Sequence, residues 1–296
     1  MSILSGLRRR LSKLDEVNAR LERVQEALGR IEGRQLVDAP RSALADSEFR
    51  VFSQWGEDGI LQRLVREVPG VPPLFVEFGV QDYTEANTRY LLSHDNWAGL
   101  VIDGSAENIA RITADPLYWR YNLKARCAFV TRENINDLLT EAGLRGEIGL
   151  LSVDIDGNDY WVWEAIDVID AVLVVVEYNW RFGPTRRVTV PYRPDFVRSD
   201  AHHSMVFYGA SLAALEALGC RKGYDLVGCN SAGNNAFFVR ADRRPASLPV
   251  VDVASAYVAG RFREARRVDG TFADLDPADE MALVDALSVV EVPPGN

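Results

Sequence analysis

From about residue 48 the chain alternates short, almost wholly apolar runs with amphipathic segments. This alternation constrains the fold more than any other feature. The runs are LFVEFGV (74–80), GLVIDGS (99–105), ARCAFV (125–130), IGLLSVDID (148–156) and AVLVVVEYN (171–179). Runs this apolar suit strands of a parallel sheet covered on both faces, because successive side chains point to opposite sides and each must meet a covering layer. Segments of helical pattern separate them at 86–94, 106–114, 133–142 and 159–168. Near the end, YDLVGCN and NAFFVRA flank the turn-rich SAGN, which predicts an antiparallel hairpin closing the sheet. The expectation is a layered α/β domain over residues 48–245, with residues 246–296 as a C-terminal extension packed on it. A hydrophobic content of 47% is ample for such a core.

Residues 4–31 follow a different period. Leu4, Leu7, Leu11, Leu14, Val17, Leu21, Val24, Leu28 and Ile31 recur at spacings of three and four, a heptad seam with one slip near Leu14–Val17. Charged residues fill the intervening positions, as a solvated helix face requires. Three readings are open for this helix (1–35): folding onto its own domain, a short coiled coil joining subunits, or a membrane-surface helix using Arg8 to Arg10 and Lys13. A polar linker over 36–47 is expected to follow. If the coiled-coil reading holds, the protein is a homo-oligomer through this helix.

Charge narrows the partners. With 43 acidic against 33 basic residues and a net charge of −10, the chain lacks the positive footprint of a nucleic-acid binder. No apolar stretch reaches the roughly 20 residues of a membrane helix, and no apolar run follows Arg8 to Arg10 as a signal peptide would need. The three cysteines have no metal-ligand spacing, so reduced thiols and a cytoplasmic location are expected.

In open α/β sheets, ligands bind beyond the carboxyl ends of the strands. The first strand delivers Glu77, Gly79 and Asp82 there, and the second Asp103 with Gly104 behind it. The third leads to Thr131, Glu133 and Asn134. The fourth brings Asp154, Asp156 and Asp159 in LLSVDIDGNDYW, and the fifth Glu177 and Asn179. Carboxylates so close repel one another unless something positive lies between them. Oxygen donors of this kind suit magnesium, calcium or manganese, although Arg181 or Arg186 could neutralise the acids instead. DIDGND is not an EF-hand, since the glycine falls at the fourth position and Ala165 stands at the twelfth. Asp103 sits where dinucleotide-type folds place an acid on ribose hydroxyls, and an N-cap for the helix at 106–114 is its structural alternative. Neither GxGxxG nor a P-loop is present, so a cofactor without phosphates fits better.

His202 and His203 follow the loop RFGPTRRVTVPYRPDF, and a histidine near an activated hydroxyl could serve as a general base. Arg186, Arg187, Arg193, Tyr178, Trp180 and Tyr192 could line a sugar or acidic-substrate site, or form an ordinary surface loop.

Taken in order, SQWGEDGIL, FVEFGVQDYTEANTRYLL, WAGLVIDGS, LLSVDIDGNDYWVWEAI, VVVEYN and YGASLAALEALGCRKGYDLVG resemble FkbM-type S-adenosylmethionine-dependent methyltransferases, over about residues 50–240. VDIDG is similar to that family's D-x-E-G element, with Asp154, Asp156 and Gly157 at the matching positions. The resemblance implies a Rossmann-like class I methyltransferase sheet of seven strands with the last antiparallel. It places Glu77 and Gly79, with Asp82 and Gly104 nearby, at the S-adenosylmethionine site, Asp103 on the ribose, and Glu133 or Asn134 near adenine. Similar sugar O-methyltransferases hold two substrate hydroxyls on a divalent ion, magnesium first among candidates. That would make Asp154, Asp156, Glu177 and Asn179 its ligands, with His202 or His203 taking the proton and Asp154 catalytic. Gln81 and Tyr83 stand where the family's first loop usually carries glycines, so the backbone there is expected to be differently arranged. The expected activity is methyl transfer to a hydroxyl of a sugar, in a surface polysaccharide or glycosylated natural product. The alternatives are metal-independent N- or O-methylation of another acceptor, and a catalytically idle binding module.

Overall fold

The computed structural model describes residues 3–38 and 43–295. A long helix, α1 (Ile3–Asp38), precedes a single 3₁₀ turn (Leu44–Ser47) and the sheet-bearing domain. That domain runs α2 (Glu57–Glu67), β1 (Leu74–Phe78), α3 (Arg89–Asp95), β2 (Ala98–Asp103), α4 (Ala106–Ala114), α5 (Pro116–Arg120), β3 (Leu123–Cys127), α6 (Ile135–Glu141), β4 (Gly146–Val153), α7 (Asp159–Ala165) and β5 (Ile169–Glu177). There follow β6 (Val188–Thr189), α8 (Arg198–Ala201), α9 (Leu212–Arg221), β7 (Tyr224–Cys229), β8 (Asn235–Arg240), α10 (Val253–Ala256), α11 (Pro277–Asp285) and β9 (Val290–Glu291). Residues 39–42 of the expected linker lie outside the described residues, as do the side chains of Leu4, Leu7, Leu11 and Arg8 to Arg10.

Seven strands form one sheet in the order β3-β2-β1-β4-β5-β8-β7. All neighbours from β3 to β5 are parallel, while β8 runs antiparallel to both β5 and β7. The expected hairpin is present, but its second strand inserts beside β5 and leaves β7 at the edge. The strand order reverses at β1, whose neighbours are β2 and β4, and this opens the crevice between β1 and β4.

Alternation along the strands explains the two covering layers. Val76 and Phe78 of β1 join Ile102, Val174 and Val176 on one face, under Leu138 and Leu139 of α6, Val162 and Trp163 of α7, and Leu212 and Leu215 of α9. Phe75, Val101, Leu150 and Val175 point the other way, against Ile60 and Leu64 of α2, Leu91 and Leu92 of α3, and Ile112 of α4. Ser105 and Ser211 cap α4 and α9 with their hydroxyls, accepting from Asn108 and Ala214 amides.

The C-terminal extension has its own core, with Phe182, Val188, Phe196 and Tyr208 packed on Ala265, Ala273 and Val284. It is tied down by β9, which pairs with β6, and by Arg181, whose side chain is fully buried. Arg181 donates to Glu280 at 2.5 Å and to Glu264 at 2.8 Å. Among the described residues, no helix is long and apolar enough to cross a membrane.

Candidate active site

Register brings four strand ends to one edge. Phe78 pairs with Ile102 and Val153, and Val153 with Val176, so Gly79, Asp103, Asp154 and Glu177 emerge together. Each strand stops two or three residues earlier than its apolar run suggests. Asp103 and Glu177 are therefore the last residues of their strands, and Asp154 and Asp156 open the loop beyond β4, so that all four face a cavity.

Two cavities meet there. One, of about 200 Å³, lies between β1, β2 and the residues after β3, and is lined by Gly79, Gln81, Asp103, Gly104, Phe129 and Asn158. The other, of about 220 Å³, is walled by Glu77, Asp82, Asn87, Glu177, Asn235 and Glu264. Gly79, Gln81, Asp154 and Asp156 line both and form the shared wall.

The loop after β1 follows left-handed backbone. Gly79 has φ +73, and a Cβ there would lie 1.6 Å from the Asp154 carbonyl oxygen, so only glycine fits the crevice. Gln81 (φ +49) and Tyr83 (φ +64) adopt the same conformation without being glycine. The arrangement a glycine-rich loop would have is kept, at a cost of about 1 kcal/mol for each such residue. Two contacts hold it: the Gln81 amide donates to Asp103 Oδ2 at 2.8 Å, and the buried Tyr83 hydroxyl bonds Thr88 Oγ1 at 2.9 Å.

Asp103 also accepts from the Ser105 amide at 2.8 Å and from Asn108 Nδ2 at 3.0 Å. Ser105, not Asp103, is the N-cap of α4. A carboxylate has about four acceptor positions, and three are used, which leaves one facing the cavity. Glu77 is spent internally: Asn87 and Thr88 amides, the Thr88 hydroxyl and Ser152 all donate to it. Burial nevertheless pushes its carboxyl above the ordinary range.

In the second cavity Asp154, Asp156 and Glu177 offer oxygens all within 4.8 Å of one another. Burial, then the charges of Asp156 and Asp159, pushes Asp154 well above its ordinary value, and burial followed by Asp154 does the same to Glu177. Glu177 Oε2 is buried with no hydrogen-bond partner. The positive group beside them is Arg198. It donates to Asp156 at 2.6 Å, pairs with Glu264 at 2.5 Å, and lies over the Tyr208 ring at 3.8 Å. Neither Arg181 nor Arg186 plays that part, since they pair with Glu264 and Glu280, and with Asp285. Asp159 instead ties the loop, accepting from the Ile155 and Gly157 amides.

Several predicted residues lie elsewhere. Asn179 is not brought to the cluster: its buried amide donates to the Val206 and Tyr208 carbonyls and accepts from the Arg181 amide. Glu133 is exposed and bonded to Tyr192 and Arg132, and Asn134 holds its own turn through Thr131 and Phe129. The wall of the first cavity beyond β3, where the resemblance led one to expect Glu133 or Asn134, is made by Ala128, Phe129 and Val130. The His202 and His203 rings lie tilted by 42° with their centroids 4.2 Å apart, and neither lines a cavity. Tyr178 and Trp180 are core residues.

Sequence reasoning missed Arg198, Glu264, Trp55 and Phe262. Trp55 and Phe262 line the second cavity and stack at 5.4 Å, with 22° between the rings. Trp55 is fixed by Glu57, a buried carboxylate that accepts from the Trp55 amide and from the side chains of Asn230 and Asn235. The conspicuous SQWGEDGIL was the available signal for Trp55. Glu264 and Phe262 belong to the extension and carried none.

No family model matches the chain, and no curated protein matches it. Solved structures similar to it include a Staphylococcus aureus protein described as a caffeoyl-CoA O-methyltransferase (14% identity, TM-score 0.41, 78% of this chain and 99% of that one). They also include an O-methyltransferase from Bacillus cereus in complex with S-adenosylhomocysteine (9%, TM-score 0.39, 72% and 88%). A third is an S-adenosylmethionine-dependent methyltransferase from Clostridium acetobutylicum (11%, TM-score 0.38, 62% and 89%). Likenesses this distant carry no assignment of chemistry to this chain. What the strand order and pairing establish is a Rossmann-like α/β fold, with a mostly parallel seven-stranded sheet and one antiparallel strand near its end.

Proposed function

We propose that the chain is an S-adenosylmethionine-dependent O-methyltransferase, assisted by a divalent cation, that acts on a sugar hydroxyl of a surface polysaccharide or glycosylated natural product. The observation that carries this reading is the pair of cavities sharing one wall at Gly79, Gln81, Asp154 and Asp156. A methyl donor in one can present its methyl group to an acceptor in the other.

The first cavity suits a nucleoside. Asp103 keeps an acceptor position for a ribose hydroxyl, and the half-exposed Phe129 offers a ring for a base. S-adenosylmethionine would supply an electrophilic methyl group there. In the second cavity Asp154, Asp156 and Glu177 would hold the cation, and the unpartnered Glu177 Oε2 fits that use. The cation, when bound, would lower the pKa of a coordinated hydroxyl. Of the three catalytic candidates only Asp154 lines the cavities, so it is the one this reading retains. An oxygen-rich wall with two aromatic rings at its edge is the chemistry that recognises a sugar: carboxylates accept from hydroxyls, and Trp55 and Phe262 cover the apolar ring face. The enzyme is further read as a homo-oligomer through α1.

Arg198 favours a second reading. Because its guanidinium already reaches Asp156, the acids could work with that charge alone and need no cation.

Calorimetric titration with S-adenosylhomocysteine, with and without magnesium, followed by methyl transfer to a panel of glycans, tests both readings. Binding and turnover that chelator abolishes are expected. Turnover surviving chelation selects the second reading, and absence of cofactor binding under either condition rejects both.

A further inference from the structure

The heptad seam of α1 does not fold onto its own domain. The face of α1 that does is made of small and polar residues with one leucine, Leu36. A Cβ on Gly29 would lie 2.4 Å from Val51, Gly33 approaches Phe49, Glu22 accepts from Arg89 at 2.6 Å, and Leu36 joins the cluster of Phe49, Val51, Phe52 and Tyr90. Residues 22, 29, 33 and 36 share one side of a helix with 3.6 residues per turn. A second side, turned about 120° from it, carries Leu14, Val17, Leu21, Val24, Leu28 and Ile31, each between 49% and 58% exposed. A continuous row of six large aliphatic side chains is not a surface a lone chain presents without a partner.

We propose that this row is closed by further copies of the same chain, three or four α1 helices running parallel. The seam itself argues for the number. Spacing puts Leu14, Leu21 and Leu28 at the first core position of each heptad and the β-branched Val17, Val24 and Ile31 at the second. That combination disfavours two strands and favours three or four. The flanking residues argue for direction. Lys13, Arg20 and Arg34 occupy one flank and Asn18, Gln25 and Glu32 the other. A parallel bundle sets each flank against the other, placing Arg20 beside Gln25 and Ala27 beside Glu32 of a neighbour. An antiparallel pairing would set the basic flank against itself. The inference goes beyond the proposed activity and stands without it.

Light scattering on the full chain after size exclusion is the test. A mass three or four times the 33.0 kDa of one chain is expected, and a mass of one or two chains overturns the proposal. The double variant Leu21→Arg/Leu28→Arg should lower the mass three- to fourfold while far-ultraviolet circular dichroism stays unchanged, since both side chains are exposed in the single chain. A folded variant of unchanged mass would place the assembly elsewhere and overturn the proposal. Val17→Cys should add a disulfide-linked species, under mild oxidation, beyond any seen with the wild type; none forming overturns the parallel arrangement. A monomer that sediments with anionic vesicles would assign the row to a membrane surface instead.

Discussion

Arg198 donates to Asp156 Oδ1 at 2.6 Å, and this contact sets how much negative charge the acid cluster shows to a ligand. At an effective dielectric near 20, a unit charge about 5 Å away contributes up to about 3 kcal/mol, less where solvent screens it. Arg198→Gln should therefore tighten magnesium binding about tenfold by calorimetry. An unchanged dissociation constant would mean that the cation, if bound, sits away from Asp156.

Asp154→Asn should move the same measurement the other way. The variant loses one of three charged ligands, and turnover should fall at least a hundredfold. The fold should persist, with a melting temperature equal to the wild type's or a few degrees higher, because Asp154 is held beside Asp156, Asp159 and Glu77 at an electrostatic cost. Activity close to wild type would remove Asp154 from the site.

Gly79 and Gln81 share a backbone region and should respond oppositely. Gly79→Ala puts a methyl group where the Asp154 carbonyl lies and should cost several degrees of melting temperature and at least tenfold in S-adenosylhomocysteine affinity. Gln81→Gly relieves the strain of φ +49 while freeing the unfolded chain, so stability should stay within about 1 kcal/mol. A variant Gly79→Ala that binds normally would show that the β1–β4 crevice can widen.

Trp55→Ala and Phe262→Ala test the aromatic pair. Each should raise the KM for a sugar acceptor about tenfold, the loss expected on removing a stacked ring. Affinity for the cofactor should not change, because neither ring lines the first cavity. A matching loss in cofactor affinity would show instead that the pair holds the site together.

Stability should depend on pH through two buried aspartates. Burial pushes Asp58 up to about 6, although three backbone amides and the Ser53 hydroxyl donate to its Oδ2, and burial takes Asp159 to about 6 as well. A carboxyl with a higher value folded than unfolded binds its proton more tightly in the native state. Its contribution is full below about pH 4 and is lost as the pH rises through 6. Asp58→Asn keeps the acceptor and cannot ionise. In urea unfolding, the wild type should lose about 2 kcal/mol relative to this variant between pH 4 and pH 7. A difference independent of pH would rule the mechanism out.

The central strands were legible because β4 and β5 are buried on both faces, which leaves their apolar runs unbroken. Their ends were not, since β4 stops at Val153 while Ile155 prolongs the apolar pattern beyond it, just before the left-handed turn at Asp156, with φ +56. Asp103, Asp154, Asp156 and Glu177 could be placed together because one topological rule gathers strand ends at one edge. Arg198 could not, because a charge in a loop becomes part of a site only when the tertiary fold closes over it. The seam of α1 was visible as a period. Which side of the helix met the domain was not, because Gly29 and Gly33 dock by being small and leave no hydrophobic signal.

Arg181 has a consequence for where the molecule can be cut. Ending the chain at residue 245, where the sheet is complete, would take away Glu264 and Glu280 together with the residues that pack over Phe182, leaving Arg181 without partners and an apolar face bare. Removing one partner alone, with the cover kept, leaves the charge buried and typically costs about 3–5 kcal/mol, a large part of what an ordinary domain has in reserve. The tail is thus less an appendage than a keystone, and sheet and extension are expected to melt as one cooperative unit.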